Sequence, residues 1–163
     1  MKSLLFSVLC LFVALTFVAC GGGDTTYSEV AESSTELTGS EIIVRPAGEQ
    51  MKFEVDSINV SVGQEVTLIL ENIATLPTMV HNVVILTSNS EEDANRVGMQ
   101  AIMAGEAKGY LPEDEAILAA TPMAQPGETV QVTFTAPSEP GVHLFICTYP
   151  GHYAAMRGVL VVS

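Results

Sequence analysis

Apolar and polar residues alternate in short runs through most of the chain from residue 41 onward. Val130, Val132 and Phe134, for example, are separated by Gln131 and Thr133. This period of two predicts strands with one buried face. The predicted strands lie at 51–55, 58–62, 66–70, 83–86, 130–134, 142–147 and 158–162. The pattern therefore indicates an all-β sandwich or barrel of about seven or eight strands.

The predicted strands differ in how they are covered and connected. Residues 83–86 are apolar at every position, which is typical of a strand covered on both faces. The early strands follow one another closely, with a turn at Gly63-Gln64, so we expect them to form a meander.

One segment has helical instead of strand periodicity. Ser90 precedes three acidic residues, apolar residues follow at helical spacing, and Gly105 can end the helix. We expect a helical insertion at about residues 90–118 in the β domain. Met99 and Met103 could be considered as metal ligands, but methionines at helical spacing usually fill core space, so we expect them to pack.

The N-terminus has the features of an export signal. Lys2 precedes an apolar run at residues 4–19, which is shorter than the roughly 20 residues that span a bilayer. The sequence Phe17-Val18-Ala19-Cys20 resembles the cleavage box of a bacterial lipoprotein. Phe17 stands where leucine is usual, so ordinary signal cleavage is the alternative. We therefore expect residues 1–20 to form a lipoprotein signal, with Cys20 as the lipid-bearing first mature residue of an exported periplasmic or cell-envelope protein.

Composition separates a tether from the folded domain and limits the partners. Residues 21–40 are rich in Gly, Ser, Thr and Glu, so we expect a flexible acidic tether before a domain at 41–163. Nineteen acidic residues against six basic ones give a net charge of −13. This charge disfavours nucleic acid as a partner and favours a protein with a basic surface. The alternative explanation of the charge is that it keeps the protein soluble.

The cysteine count points to a single thiol in the mature domain. Cys10 would leave with the signal and Cys20 would be acylated, so Cys147 would have no partner for an internal disulfide. Ligation of a metal would protect an unpaired thiol in an oxidising compartment. An inert buried cysteine is the alternative.

Residues 147–156, CTYPGHYAAM, concentrate the candidate ligands. Cys147, His152 and Met156 are spaced by five and four residues, and His81 at the start of a predicted strand is the natural fourth ligand. Thiolate and thioether favour Cu(I), whereas imidazole suits both oxidation states of copper. A rigid site of this kind needs little rearrangement on reduction, which is the requirement for an electron carrier.

The same residues resemble a known family. CTYPGHYAAM resembles the copper loop of azurin, a blue-copper cupredoxin, and Met79-Val80-His81-Asn82 resembles its Met-x-His-Asn segment. The resemblance extends over residues 41–163 and includes GYLPEDEAIL in the insertion. It implies a cupredoxin Greek-key β-sandwich and a mononuclear electron carrier with one type 1 copper ion that cycles between Cu(II) and Cu(I).

The resemblance also assigns roles to single residues. Asn82 would hold the two ligand segments together through hydrogen bonds around Thr148 and the sulfur. The strong equatorial bonds to the metal would come from His81, Cys147 and His152. The weak axial bond would come from Met156.

The sequence departs from the azurin pattern in two places. Val80 stands where azurin has the glycine whose carbonyl is a distant fifth contact to copper. A β-branched residue restricts the backbone, so the same approach is not expected to follow for the Val80 carbonyl. The disulfide between two early strands is missing, since neither Glu41 nor the Gly63 turn offers a thiol.

The resemblance further implies an electron-transfer surface at an exposed edge of His152 within an apolar patch. Its residues are Met79, Tyr149, Pro150 and His152, with Leu76, Pro77, Ala154 and Ala155 nearby. An acidic carrier with an apolar docking patch suggests brief encounters with a basic redox protein, such as a c-type cytochrome or a terminal oxidase or reductase. A lipid anchor would add the membrane as a partner, and no small-molecule substrate is expected.

Other functions fit parts of the pattern. Cys147 could be a nucleophile with a histidine base, but Met156 would then have no role. A catalytic copper centre would need more cysteines or imidazoles than the chain offers. Storage or delivery of copper is the main alternative to electron transfer. The remaining imidazole, His143, is expected to be a core or hydrogen-bonded residue and not a ligand.

Overall fold

The computed structural model describes residues 40–163. The predicted signal at residues 1–20, with Cys20, lies outside the described residues, as does the predicted tether up to residue 39. Within the described range, every helix is too short or too polar to cross a bilayer.

Within residues 40–163, eight strands form two sheets, and this confirms the predicted fold class. The strands are β1 Glu41–Val44, β2 Ser57–Val60, β3 Glu65–Glu71, β4 Val84–Leu86, β5 Ile117–Ala120, β6 Thr129–Thr135, β7 Gly141–Ile146 and β8 Arg157–Val162. The smaller sheet has the order β1-β3-β6, and the larger sheet has the order β2-β8-β7-β4-β5.

The first three strands do not form the predicted meander. β1 pairs in parallel with β3, with Ile42 opposite Leu68, whereas β2 pairs in parallel with β8, with Ile58 opposite Leu160. The turn at Gly63, whose φ is +67°, therefore carries the chain from one sheet to the other. Alternation specifies which face of a strand is buried, but not which sheet the strand joins, so the prediction of a meander was wrong.

The predicted strand at 51–55 is also absent. Phe53 is fully buried but makes only an isolated bridge to Pro46, and Met51 is 46% exposed. The backbone N–H of Ala47 donates to the carbonyl of Lys52 at 2.8 Å, so this segment belongs to a tight turn. The prediction was wrong because burial of alternate residues does not require a continuous ladder.

The two sheets enclose one apolar core that continues into the candidate ligand residues. The Phe53 and Phe145 rings lie 5.2 Å apart within it, and Gly158 leaves the space that the Phe145 ring occupies. Each large aliphatic side chain buried in this way contributes about 1.5–3 kcal/mol to folding. Cys147 and Met156 belong to the same core cluster. The candidate ligands therefore extend the core instead of lying on a mobile surface loop.

Helix α1 spans Glu91–Ala104 and confirms the predicted helix. The Ser90 hydroxyl accepts a hydrogen bond from the backbone N–H of Asp93 at 3.2 Å, and Gly105 with φ +74° ends the helix. A 3₁₀ turn at Glu106–Lys108 follows. The buried residues of the helix are Ala94, Val97, Gly98 and Ala101.

Met99 and Met103 do not pack as predicted. Their side chains are 61% and 89% exposed, and the neighbouring Ile102 is 49% exposed. The helix instead buries a face of small residues against the sheet. Apolar residues occupy two faces of this helix, and helical spacing alone does not identify the face that packs.

Candidate metal centre

The two predicted ligand segments meet at one edge of the larger sheet. His81 lies just before β4 and is held by paired backbone hydrogen bonds with Ala124. Cys147 directly follows β7. Because β4 and β7 are antiparallel neighbours, with Val84 opposite Ile146, the start of one strand and the end of the other lie side by side.

A tight turn brings His152 back toward Cys147. Pro150 and Gly151 occupy its central positions, Gly151 has φ +86°, and the N–H of His152 donates to the carbonyl of Tyr149 at 2.9 Å. Proline fixes the first central position of such a turn, and glycine accepts the positive φ at the second. The Pro-Gly pair is therefore the local cause of the loop's shape.

A second turn returns Met156 to the same place. The N–H groups of Ala155 and Met156 donate to the carbonyl of His152 at 3.0 and 2.8 Å. The N–H of Cys147 donates in turn to the carbonyl of Met156 at 3.0 Å. The loop is thus closed by backbone hydrogen bonds, and the first and last candidate ligands lie side by side.

Three side-chain ligand atoms form a compact triangle. Sγ of Cys147 lies 3.8 Å from Nδ1 of His81 and 3.7 Å from Nδ1 of His152, and the two nitrogens are 3.3 Å apart. The point equidistant from all three lies about 2.1 Å from each, close to metal–nitrogen and metal–sulfur bond lengths in protein sites. The triangle therefore fits a single metal ion without rearrangement.

Burial distinguishes His152 from the other candidate ligands. His81, Cys147 and Met156 are fully buried, whereas His152 retains 5% exposure. The thiol, thioether and imidazole donors suit copper in both of its common oxidation states. The residues present therefore fit a copper ion by distance and by chemistry.

Both ligand imidazoles are neutral at pH 7. Burial, and to a lesser extent the neighbouring His152, lower the pKa of His81 to about 4, although the Glu49 carboxylate partly opposes this shift. Burial also lowers the pKa of His152. A neutral imidazole offers the lone pair that a metal needs, so the site is ready for a cation without losing protons from its histidines.

Cys147 behaves differently. Burial raises the pKa of its thiol to about 12, although backbone N–H groups of Asn82 and Tyr149 hydrogen-bond the sulfur and partly oppose the shift. Without metal the side chain is therefore a neutral thiol at pH 7. Metal binding must displace its proton, after which the same two N–H groups stabilise the thiolate.

Asn82 and Thr148 form a buried bracket between the ligand segments. Nδ2 of Asn82 donates to the Thr148 hydroxyl, and the N–H of Thr148 donates to Oδ1 of Asn82, both at 2.8 Å. The Thr148 hydroxyl donates to the carbonyl of Tyr110 at 2.8 Å. The structure thus places the contacts that the azurin resemblance implies, and adds a link to the segment after α1.

Two residues of the predicted electron-transfer surface, Tyr149 and Pro150, lie beside His152 in the ligand loop. The Tyr149 ring lies 5.0 Å from the His152 ring and 5.5 Å from the Tyr110 ring. Tyr149, Pro150 and Met79 are all partly exposed.

Two residues that support the His81 segment have no motif in the sequence. Nδ2 of Asn72 donates to the carbonyls of Met79 and Ala124 at 2.7 and 2.9 Å. These bonds fix the backbone on both sides of the His81–Ala124 bridge. The sequence offers no signal for this role, because Asn72 lies at the end of a predicted strand, where asparagine is common.

Glu49 is the second support that sequence reasoning missed. Its carboxylate accepts hydrogen bonds from the N–H and hydroxyl of Thr75 at 2.7 and 2.8 Å, and from the N–H of Leu76 at 3.3 Å. It also lies close enough to His81 to affect the pKa of that imidazole. The carboxylate therefore anchors the apolar loop beside the site and places a negative charge near a ligand.

His143 is a core residue, as predicted, but it makes no hydrogen bond. It is 8% exposed on β7, opposite Leu160, and neither ring nitrogen has a partner within residues 40–163. Four residues separate it from Cys147, or about 13 Å along an extended strand. It lies away from the ligand triangle, as its spacing predicted.

A buried site with two imidazoles, one thiol and one thioether from a β-sandwich defines the class of type 1, or blue, copper proteins. The model of the copper-binding proteins of the plastocyanin/azurin family matches residues 40–163. This chain belongs to the plastocyanin/azurin family of copper-binding proteins.

Individual relatives agree with this assignment. The chain is 38% identical to auracyanin-A of Chloroflexus aurantiacus over 152 residues, covering 93% of this chain and 91% of the relative. It is 32% identical to azurin of Pseudomonas aeruginosa over 139 residues, covering 82% and 86%. The solved structure of auracyanin A, a "blue" copper protein, superimposes with a TM-score of 0.69 at 39% identity and covers 78% of this chain and 99% of that chain.

The family membership and the site together define the activity class. His81, Cys147, His152 and Met156 form a type 1 site for one copper ion. The protein is a blue-copper electron carrier and not an enzyme. The predicted family, cofactor and class of function are therefore confirmed.

Proposed function

We propose that the protein passes single electrons between redox proteins of the cell envelope, and that each electron enters and leaves through the edge of His152. The observation that carries this proposal is the difference in burial among the ligands. Three are fully buried, and His152 alone among the four reaches the surface. When bound, copper supplies the one-electron change between Cu(II) and Cu(I).

The protein contributes a cage that resists rearrangement. Backbone hydrogen bonds close the ligand loop on itself, and the Asn82–Thr148 bracket joins it to the His81 segment. Because none of these contacts uses a metal-binding atom, they hold the ligand atoms near their bonded positions independently of the metal. This rigidity supports rapid electron exchange and disfavours the alternative of copper storage or delivery, which needs accessible and exchangeable ligands.

The proposed docking surface consists of Met79, Tyr149, Pro150 and the edge of His152. Leu76 beside it is 49% exposed, and Ala154 and Ala155 are also exposed. An apolar surface around the exposed ligand allows a partner to exclude water over the route of the electron. The surface therefore suits brief contact with a redox protein.

Charge beside this surface indicates the kind of partner. A cleft of about 380 Å³ next to it is lined by Tyr110, Tyr149, Val80 and the carboxylate-bearing Glu106, among others. Aromatic faces and a carboxylate favour a lysine or arginine side chain. A basic c-type cytochrome, or a terminal oxidase or reductase with a basic docking face, fits this chemistry and the acidic composition of the chain.

We further propose that the protein is exported and held to the membrane by a lipid on Cys20, with residues 21–40 as the tether. The support is the short apolar run at residues 4–19 and the sequence that precedes Cys20. Cys20→Ser should move the protein from the membrane fraction to the soluble fraction. A wild-type protein that is already entirely in the soluble fraction would contradict the anchor.

The docking proposal is tested by placing a charge in the apolar surface. Met79→Glu should slow electron transfer to a basic c-type cytochrome in stopped-flow measurements and leave the blue absorption unchanged. Val142→Glu is the matched control, because Val142 is 42% exposed at the start of β7, the end of the strand away from Cys147. Equal rates for both variants would contradict docking at this surface.

The role of the cleft has its own test. Glu106→Gln should lower the second-order rate constant with the cytochrome and weaken its dependence on ionic strength. Glu139→Gln, which removes the same charge in the turn before β7, should have a much smaller effect. A rate constant that does not respond to ionic strength would contradict electrostatic steering.

A further inference from the structure

A glycine in α1 makes an unusually close contact with the copper-binding loop. A Cβ atom on Gly98 would lie 2.2 Å from Cγ of Tyr153, and 2.4 and 2.6 Å from its two Cδ atoms. Gly98 has no positive φ, so its backbone does not require glycine. Glycine in a helix interior is otherwise unfavourable. The Tyr153 ring therefore occupies the space that any other residue at this position would need.

A second contact joins the same loop residue to the start of the same helix. Nε and Nη2 of Arg157 donate to the carbonyl oxygen of Tyr153 at 3.0 and 2.6 Å. Nη1 of Arg157 pairs with the carboxylate of Glu91 in the first turn of α1. Glu91 and Gly98 are two helical turns apart, about 10.5 Å, and so lie on one face.

The helix that makes these contacts is itself firmly held. Ala94 and Val97 are fully buried in a cluster with Ile146 of β7, and Tyr153 packs against this cluster. On another side, the guanidinium of Arg96 donates to Asp114 at 3.0 and 3.1 Å. Because the helix is fixed to the sheet, its contacts can restrict the movement of the loop.

Tyr153 is well placed to control the ligands on either side of it. Only three residues separate His152 from Met156, and the other two, Ala154 and Ala155, have small exposed side chains. Tyr153 thus provides the one large side-chain anchor between the exposed ligand and the axial ligand.

We propose that the helical insertion acts as a clamp on the copper-binding loop. Gly98 and Glu91 of α1 hold Tyr153 and Arg157, and these positioning residues fix His152 and Met156 relative to Cys147. This inference goes beyond the proposed function, because it concerns the copper centre and holds whichever redox partner the protein meets. A loosened loop would weaken the contact that the axial thioether makes with copper. Although a thioether is softer than a nitrogen or oxygen donor, its lone pair still stabilises the more highly charged Cu(II), so a weaker contact would raise the reduction potential.

The ring contact is tested by Tyr153→Ala, with Tyr153→Phe as the matched control that keeps the ring. Tyr153→Ala should raise the reduction potential and alter the blue absorption spectrum of the copper-loaded protein. In the metal-free protein, the amide of Met156, which donates to the His152 carbonyl, should exchange with deuterium faster. Tyr153→Phe should match the wild type in all three measurements.

Gly98→Ala approaches the same contact from the helix. Alanine has a higher helix propensity than glycine, but its Cβ would collide with the Tyr153 ring. The reduction potential and the blue absorption spectrum should therefore shift. In a Tyr153→Ala background, Gly98→Ala should cause no further shift, because the space is then free. Shifts that add fully in the double variant would contradict a direct contact.

The guanidinium bridge is tested by Glu91→Gln against Glu92→Gln, which removes the same charge from the neighbouring exposed position. Glu91→Gln should shift the potential in the same direction as Tyr153→Ala but by less, and Glu92→Gln should not. If Tyr153→Ala and Gly98→Ala change only the free energy of unfolding and keep the wild-type potential and spectrum, the clamp does not position the ligands and the proposal is wrong. In each comparison, the copper-loaded wild-type protein is the reference for the reduction potential and the absorption spectrum.

Discussion

The two ends of strand β7 offer a comparison within one molecule. Cys147 follows the strand and His143 lies near its start, and both side chains are buried in the sandwich. At the Cys147 end, two imidazoles and a thiol converge within 3.8 Å of one another. At the other end, His143 has no hydrogen-bond partner in the described chain. Burial of a polar side chain alone therefore does not make a site, whereas convergence of ligand atoms does.

The comparison also separates the demands of function from those of stability. An unpaired buried polar group costs free energy, and His81 shares this cost because its Nε2 also lacks a partner within residues 40–163. At His81 the cost is offset by metal binding, since Nδ1 points into the ligand triangle. At His143 no described contact offsets it.

The largest expected effect comes from removing a metal ligand at the Cys147 end of β7. Cys147→Ser removes the sulfur that joins the two imidazoles, so the intense thiolate-to-copper absorption should be lost completely. Absorption spectroscopy after addition of Cu(II) checks this. His143→Leu is the control at the other end of the strand, and it should retain the full band; loss of the band in both variants would contradict the distinction between the two ends.

The pH dependence of the metal-free protein should sharpen the comparison. Because the pKa of His81 falls to about 4 in the folded protein, the unfolded chain binds a proton first as pH drops below 6.5, so the free energy of unfolding should decrease between pH 6.5 and 4. Because the pKa of Cys147 rises to about 12 from 9.0, the unfolded chain loses its proton first, and stability should also decrease above pH 9. Urea denaturation across this range measures both slopes.

Copper provides the control for this prediction. With copper bound, Cys147 would be a thiolate with no proton to lose, so the decrease in stability above pH 9 should disappear. The decrease below pH 6.5 should remain, because copper would also keep His81 unprotonated. Identical profiles above pH 9 for the metal-free and copper-loaded forms would contradict the assignment of that slope to Cys147.

Replacing the buried histidines tests the free-energy cost at each end. His143→Leu should raise the free energy of unfolding of the metal-free protein by about 1–3 kcal/mol, because it replaces an unpaired polar ring with an apolar side chain. His81→Leu should also stabilise the metal-free protein but lose the blue band. Destabilisation by His143→Leu in urea denaturation would contradict the account of His143 as an unpaired buried ring.

The smallest expected effect concerns charge near the site. Glu49→Gln should raise the reduction potential modestly, because it removes a negative charge that favours Cu(II) while keeping one oxygen to accept a hydrogen bond from the Thr75 loop. Protein-film voltammetry measures the shift. Glu54→Gln, which removes an exposed charge after the same turn, is the control, and a shift of equal size there would contradict a specific effect of Glu49.

The sequence predicted the metal end well for a physical reason. Cys147, His152 and Met156 lie within ten residues, and the Pro150-Gly151 turn that folds them together is itself a local signal. The helix bounds were predictable for the same reason, since the Ser90 and Gly105 caps are local. His81 lies far from this loop in the sequence, but its position at the start of a predicted strand already made it the natural fourth ligand, and the azurin resemblance implied the same residue.

What the sequence did not predict depends on contacts between distant segments. The pairing of β2 with β8 joins residues about a hundred positions apart, and alternation specifies no such partner. The exposure of Met99 and Met103 depends on which helix face meets the sheet. The contact between Gly98 and Tyr153 forms only where the folded loop meets the helix, so neither residue could be recognised from the sequence.

The most direct test of the central claim is a titration of the purified protein with Cu(II), followed by visible absorption. An intense blue thiolate-to-copper band should grow until one copper is bound per chain, bleach with ascorbate and return on reoxidation. Absence of the band, or saturation at a different stoichiometry, would contradict a mononuclear electron-carrying site at His81, Cys147, His152 and Met156.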